Sequence, residues 1–155
     1  VKVLAFLQNM WVKDPAKVQV SLDRWKDTPE FWNRMVASLL FSGCITGRRI
    51  KTAFGDDLAF SIIYDECTKE IADNPKVILK PDFEHIANTI KRIKPDVIIT
   101  FGNHAYKAVT SMYESGAIFY HTVPTCKIIV SPHPAARQPD TLDKLKAVAE
   151  KLNNN

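Results

Sequence analysis

Two short segments combine hydrogen-bonding side chains with constrained backbone. In Ser131-Pro132-His133-Pro134-Ala135-Ala136-Arg137, prolines on both sides hold His133 in stiff, extended chain. A histidine held in this way can give a hydrogen bond or a proton to a leaving group without a large ordering cost. Taken alone, a His-Pro pair is equally a plain turn after a strand. Leu7-Gln8-Asn9-Met10-Trp11 sets two side-chain amides and an indole directly behind an apolar run. Gln8 and Asn9 each donate and accept, so either could orient a water, although Asn also satisfies loop backbone. Asp65-Glu66 and Gly102-Asn103-His104 follow two further apolar runs. Arg48 and Arg49 form a basic pair after Gly47, suited to phosphate or to a solvated helix face.

The elements that must carry these segments alternate. Val1–Leu7 is a nearly continuous aliphatic run and reads as a buried strand. Gln8–Asp27 is polar and interrupted by Pro15, which predicts a loop. Thr28-Pro29-Glu30 has a hydroxyl N-cap, a first-position proline and an early acid, so a helix is expected to about Leu40. A short helix is expected through Phe54, a strand at Phe60–Tyr64 and a loop at Cys67–Lys80. Pro81-Asp82 opens a helix whose Phe83, Ile86, Ala87, Ile90 and Ile93 share one face at helical period. Val97–Phe101 and Cys126–Val130 read as strands, Asn103–Tyr113 as a helix. A last helix starts near Asp140 with Leu142, Leu145, Val148 and Leu152 as its apolar stripe. The alternation predicts an α/β fold: three layers, with a central, mostly parallel four-stranded sheet covered on both faces. Such sheets bind ligands at the carboxyl ends of their strands, where the polar segments above lie.

Composition narrows the class. With 155 residues, 46% of them hydrophobic and 25% charged, the chain reads as one globular domain over 1–155, not a disordered or fibrous protein. No apolar run approaches the ~20 residues of a membrane span. Val1–Leu7 has no small-residue cleavage site behind it, so it does not read as a signal peptide. Three widely spaced cysteines, Cys44, Cys67 and Cys126, make neither a disulfide framework nor a CxxC metal site. A reducing, cytoplasmic compartment is expected. The net charge of +4 permits a polyanionic partner without demanding one.

Together these segments resemble the uracil-DNA glycosylase superfamily, from Leu7 to about Leu152. Leu7-Gln8-Asn9-Met10-Trp11 resembles its first motif, which carries a water-orienting Asp or Asn. Ile98-Ile99-Thr100-Phe101-Gly102-Asn103-His104-Ala105 is similar to its third-strand segment, and the Ser131–Arg137 loop to its second motif. Gly47-Arg48-Arg49 with Phe54-Gly55 is similar to a segment of the iron–sulfur branch. That branch needs four cysteines, and this chain has three, at other places. No cluster, metal or other cofactor is expected. Met10 stands where the family usually has proline, and Trp11 where another branch has Tyr. Asp65 stands roughly where many members carry the Asn that reads uracil.

The resemblance implies a monofunctional DNA glycosylase, a hydrolase of base excision. It flips a base out of DNA and hydrolyses the N-glycosidic bond to leave an abasic site. His133 would stabilise the departing base anion, and Asn9 would hold the water, with Gln8 and Trp11 in the same pocket. Phe41 would stack on the base; an alignment through Gly47 puts Ile45 there instead. Arg48, Arg49 and Arg137 would meet the DNA backbone or minor groove. An ionised Asp65 only accepts hydrogen bonds. It would repel the uracil 4-oxygen and suit the amino group of a cytosine-type base. A protonated Asp65 could donate, and with Asp65 turned away the reading would pass to Glu66 or a backbone group. A modified cytosine as substrate would suit defence against phages with modified DNA; uracil or mismatch repair is the alternative. The partner is DNA, no membrane is involved, and a monomer is expected. Two other classes compete: a non-catalytic DNA-binding module of the same fold, and an unrelated flavodoxin-like or nucleotide-binding domain. The chain has neither a GxGxxG nor a Walker-type loop for the latter.

Overall fold

A computed structural model describes residues 1–115 and 123–154. Four parallel strands form the central sheet: β1 (Val3–Leu7), β3 (Ile63–Glu66), β5 (Val97–Phe101) and β6 (Lys127–Ser131), in the order β3-β1-β5-β6. Every residue of β1 and β5 is buried, as expected of interior strands read from continuous aliphatic runs. Two faces follow from the period of two. Ala5, Leu7, Tyr64, Ile99 and Phe101 pack in one core, under α2 (Pro29–Leu40), α3 (Ile45–Phe54) and α7 (Thr141–Asn153). Leu4, Phe6 and Ile98 pack in the other, under α5 (Phe83–Ile93) and α6 (Asn103–Glu114). The result is the expected three-layer α/β/α arrangement around a four-stranded parallel sheet.

Helix α5 starts as its sequence predicts, with the Asp82 side chain accepting from the His85 N–H at 3.1 Å. Helix α2 starts at Pro29, but the Thr28 hydroxyl makes no capping bond. Several boundaries differ from the sequence reading. The predicted Gln8–Asp27 loop contains β2 (Met10–Trp11) and α1 (Pro15–Arg24). Pro15 opens α1 at a first-turn position where its missing N–H costs nothing. No residue of α1 is fully buried; only Val18 and Leu22 are partly buried aliphatics, too few to form a clear apolar stripe. The predicted strand at Phe60–Tyr64 begins only at Ile63, because Phe60 and Ser61 form the end of the short helix α4 (Asp56–Ser61). An apolar run alone does not separate a helix end from a strand start. The predicted Cys67–Lys80 loop includes β4 (Ile71–Ala72), which pairs with β2 outside the main sheet. The strand predicted at Cys126–Val130 lies one residue later, at Lys127–Ser131.

Candidate active site

At the carboxyl ends of β1, β3 and β6 lies a cavity of about 470 Å³. Its walls come from the segments that follow or close these strands: Gln8, Asn9 and Trp11 after β1, Glu66 at the end of β3, and His133 after β6. The head of α3 closes another side with Cys44, Ile45 and Thr46. Gly47 makes that wall possible: a Cβ there would fall 1.8 Å from the Leu40 carbonyl oxygen. Only a bare α-carbon lets α3 approach the end of α2 so closely.

His133 is held from three directions. Its Nδ1 accepts the Ala135 N–H at 3.1 Å. A neutral ring then carries its proton on Nε2, which is the donating nitrogen. Burial disfavours the charged ring and lowers the His133 pKa. Gly102, with φ of +94°, passes so close that a Cβ would stand 3.2 Å from the Cβ of His133. Behind the loop, Arg49 Nη1 donates to the carbonyls of Pro134 and Ala136, both at 2.9 Å. Arg49 was expected at a phosphate; here it is half-buried and clamps the histidine loop to α3. Arg48 and Arg137 are exposed, three residues after Ile45 and four after His133 in the chain.

Asn9 lines the cavity but also ties two loops together. Its Nδ2 donates to the Met10 and Val77 carbonyls at 3.3 and 3.2 Å, and its Oδ1 accepts the Leu79 N–H at 2.9 Å. A second lone pair on Oδ1 remains for a water. Trp11 is 49% exposed at the rim.

Two residues singled out in the sequence do not line the cavity. Phe41 packs edge-on against Phe60 and Tyr64, with ring centroids 5.1 and 5.4 Å apart; the other alignment, through Ile45, is the one that reaches the cavity. Asp65 is fully buried and turned away from the cavity, held between α2 and α5 at the edge strand of the sheet. It accepts from Trp32 Nε1 at 2.7 Å, Asn33 Nδ2 at 3.1 Å and the Glu66 N–H at 2.7 Å, and it meets His85 Nε2 at 2.9 Å. The reason is register. Asp65 pairs with Phe6 and Glu66 with Leu7, so a shift of one residue moves a side chain to the opposite face. Glu66 was named in the sequence only as a fallback, since an Asp-Glu pair does not reveal its own parity.

The two neighbouring carboxyls have opposite electrostatics. Burial pushes Asp65 up, but the His85 hydrogen bond and charge, with the Trp32 and Glu66 N–H groups, outweigh it and leave its pKa below the ordinary value. Glu66 is held well above the carboxylate range, first by burial, then by the negative charge of Asp65 and by Cys44. Its Oε2 is buried and has no hydrogen-bond partner. Among the described residues no group of His, Cys, Asp and Glu could hold a metal ion, and no helix is long and apolar enough to cross a membrane.

The arrangement offers a concave, largely apolar chamber with a few convergent polar groups, as expected of a small-molecule or base pocket. A family model described as the uracil DNA glycosylase superfamily matches residues 24–155. The match takes in Glu66 and His133 and begins after Gln8 and Asn9. A comparison with curated proteins finds no match.

Proposed function

The chain belongs to the uracil DNA glycosylase superfamily, and on that footing we propose that it is a monofunctional DNA glycosylase that flips a pyrimidine into the cavity and hydrolyses its N-glycosidic bond. Family membership supports the coarser statement, a DNA glycosylase-type hydrolase acting on DNA. The observation that carries the finer one is His133. It is a neutral imidazole on a braced loop, with Nδ1 occupied and Nε2–H left to donate at the cavity wall. As the glycosidic bond breaks, negative charge builds on the departing base. A fixed donor aimed at that charge lowers the barrier without reorganising. Keeping the ring neutral does not weaken this role, because only the N–H dipole is required.

The water must reach the sugar on the side opposite the leaving base. Asn9 Oδ1 positions it through its free lone pair, with the neighbouring Gln8 amide as the second group at that wall. Among the described residues no lysine lines the cavity. An amine that could attack the sugar and go on to cleave the strand is therefore missing from the walls, which supports hydrolysis alone. Arg48 and Arg137 bind phosphates at the mouth. The cavity is large enough to admit a pyrimidine with a C5 substituent, so modified cytosines belong beside uracil as candidate substrates, although Asp65, which suggested them in the sequence, does not line it. Defence against phages with modified DNA would follow from such a substrate. The protein acts as a monomeric single domain on DNA.

The test is a panel of duplex and single-stranded oligonucleotides carrying uracil, hypoxanthine, thymine mismatches or C5-modified cytosines. Free base is scored by mass and abasic sites by alkali cleavage. Base release from at least one pyrimidine substrate, lost in His133→Ala, is expected. DNA binding with no release from any substrate would favour a non-catalytic module.

A further inference from the structure

The cavity at His133 has a smaller neighbour. A second hollow, of about 140 Å³, lies at the turn between α1 and α2. Trp25 and Phe31 give it aromatic walls, Gln19 and Thr28 give it hydrogen-bonding groups, and Lys26 and Lys69 give it positive charge. Asp23 also lines it, with its Oδ1 held by Gln19 Nε2 at 2.9 Å.

The main wall is an unfinished stack. The Trp25 and Phe31 rings lie 5.5 Å apart and 22° from parallel, yet Trp25 stays 48% exposed. The backbone sets the indole there. Trp25 ends α1, and its N–H donates to the Ser21 and Leu22 carbonyls. The Thr28 N–H donates to the Trp25 carbonyl, and the Phe31 N–H to the Thr28 carbonyl, both at 2.9 Å. A half-exposed ring on a fixed turn offers stacking area at little ordering cost.

The two cavities adjoin. Lys69 stands two residues before Ile71, and Ile71 pairs across β2–β4 with Met10, a wall of the first cavity. Two residues of chain reach at most about 7 Å. Trp11, 49% exposed at the rim of the first cavity, follows Met10 on that strand.

We propose that the Trp25 cavity takes an unpaired base of the same DNA strand whose target base enters the His133 cavity, and that the substrate is therefore single-stranded DNA. The inference rests on the glycosylase reading above and adds the form of DNA on which that chemistry acts.

The chemistry of the walls favours a single strand. In a duplex the base faces are covered by their neighbours, and a protein meets backbone and groove edges. A base stacks on an indole only once it is unstacked from its own helix, and every base has such a face. Lys26 and Lys69 supply charge for the flanking phosphates, and Gln19 and Thr28 can meet a base edge. The rim of the first cavity agrees. Trp11, and Ile45 at 44% exposure, are apolar side chains that a duplex backbone would leave against phosphate. The loop that carries His133 is poorly equipped to open a duplex. Proteins that part base steps insert a large apolar side chain; here Pro134 is buried, and Ala135 and Ala136 are short.

The experiment uses single-stranded oligonucleotides with one uracil or one C5-modified cytosine, extended one nucleotide at a time on either side, and the matching duplexes. Base release is read as kcat/KM. Indole fluorescence is titrated with an eight-nucleotide oligothymidylate and with thymidine monophosphate. Single strands are expected to exceed duplexes about tenfold or more. On single strands kcat/KM is expected to rise about tenfold as one side is lengthened by a few nucleotides. Trp25→Ala removes that rise, and Trp25→Phe, which keeps a stacking ring, retains it. Lys26→Glu combined with Lys69→Glu, both at exposed positions, also flattens the rise and carries the test if Trp25→Ala melts early. The oligothymidylate quenches indole emission in wild type and quenches it less in Trp25→Phe. Duplexes cleaved as well as single strands, or a length dependence indifferent to Trp25 and to both lysines, would overturn the inference and leave the glycosylase reading standing. Oligothymidylate binding no tighter than that of the monophosphate would also overturn it. Trp25-dependent quenching by the oligothymidylate, in a protein that releases no base, would sustain the single-strand site and overturn the glycosylase reading. No quenching and no release would overturn both.

Discussion

Asp65 and Glu66 are consecutive at the carboxyl end of β3, and their side chains face opposite sides of the sheet. Asp65 is engaged by Trp32, Asn33 and His85, while Glu66 stands in the cavity with one oxygen unpaired. The partners of Asp65 favour its charged form, while burial beside that charge favours the neutral form of Glu66. The two groups therefore shift with pH in opposite senses.

The stability of the fold should report the pair. Below an ordinary Glu pKa of about 4.3, folded and unfolded chains both hold the Glu66 proton. As pH rises the unfolded chain releases it first, since the folded pKa is raised. Wild type then loses stability at up to about 1.4 kcal/mol per pH unit until the folded pKa is passed. Glu66→Gln has no proton to lose, so its melting temperature relative to wild type should climb as pH rises above about 4.3. Asp65 contributes with the opposite sign: its folded pKa is lowered, so its stabilisation is present above about pH 3.9 and lost as pH falls. A pH-independent difference between Glu66→Gln and wild type would contradict the raised Glu66.

Gly102 should be intolerant of any side chain. Its φ of +94° and the 3.2 Å approach to His133 Cβ act together. Gly102→Ala is expected to cost about 1–3 kcal/mol from backbone strain. It should also displace His133 and lower the rate more than tenfold, with DNA affinity nearly unchanged. Chemical denaturation, single-turnover rates and binding titrations check the three parts separately.

The neighbouring arginines should separate in their effects. Arg49 holds the Pro134 and Ala136 carbonyls, so Arg49→Ala should lower the rate of base release through a loosened His133. Arg49→Lys should not restore it, because an ammonium lacks the planar fork. Arg48→Ala, at an exposed position, should leave chemistry at saturating DNA intact. It should weaken binding and reduce the slope of log Kd against log salt by about 1. Equal effects of the two on the salt slope would contradict this division.

Phe41 and Ile45 offer a parallel contrast. Phe41→Leu should cost about 1–2 kcal/mol of stability, from its edge contacts with Phe60 and Tyr64, and leave base release intact. Ile45→Ala, at the cavity wall, should impair base release and leave stability nearly unchanged because the side chain is 44% exposed. Paired melting and rate measurements on the two variants decide it.

Much of this molecule was readable before its coordinates. Continuous aliphatic runs gave β1 and β5, the period of Phe83–Ile93 gave α5, and the proline-flanked His133 is where the loop logic put it. What escaped has physical causes. Helix α1 has no fully buried residue and only Val18 and Leu22 as partly buried aliphatics, too thin a stripe to mark it. β2 and β4 are two residues each and depend on pairing with one another. Which of Asp65 and Glu66 lines the cavity was not legible, because strand parity is set by pairing with β1, not by the local sequence. Arg49 looked like a phosphate ligand because the carbonyls it holds lie 85 and 87 residues away. Asn9 was located in the right wall, but its engagement with Val77 and Leu79 crosses about as long a separation.

The central claim is that neutral His133 drives release of a flipped pyrimidine. The most direct measurement is single-turnover base release, scored by mass, for wild type and His133→Ala on duplexes carrying uracil or a C5-modified cytosine, from about pH 5 to 9. The account predicts release by wild type that persists above the ordinary histidine pKa of about 6.5, because burial keeps the working ring neutral. It predicts a loss of about 10²–10³-fold in His133→Ala with melting unchanged. Base release that is equal in the two proteins, or that requires pH below about 6.5 and so a charged ring, would contradict it.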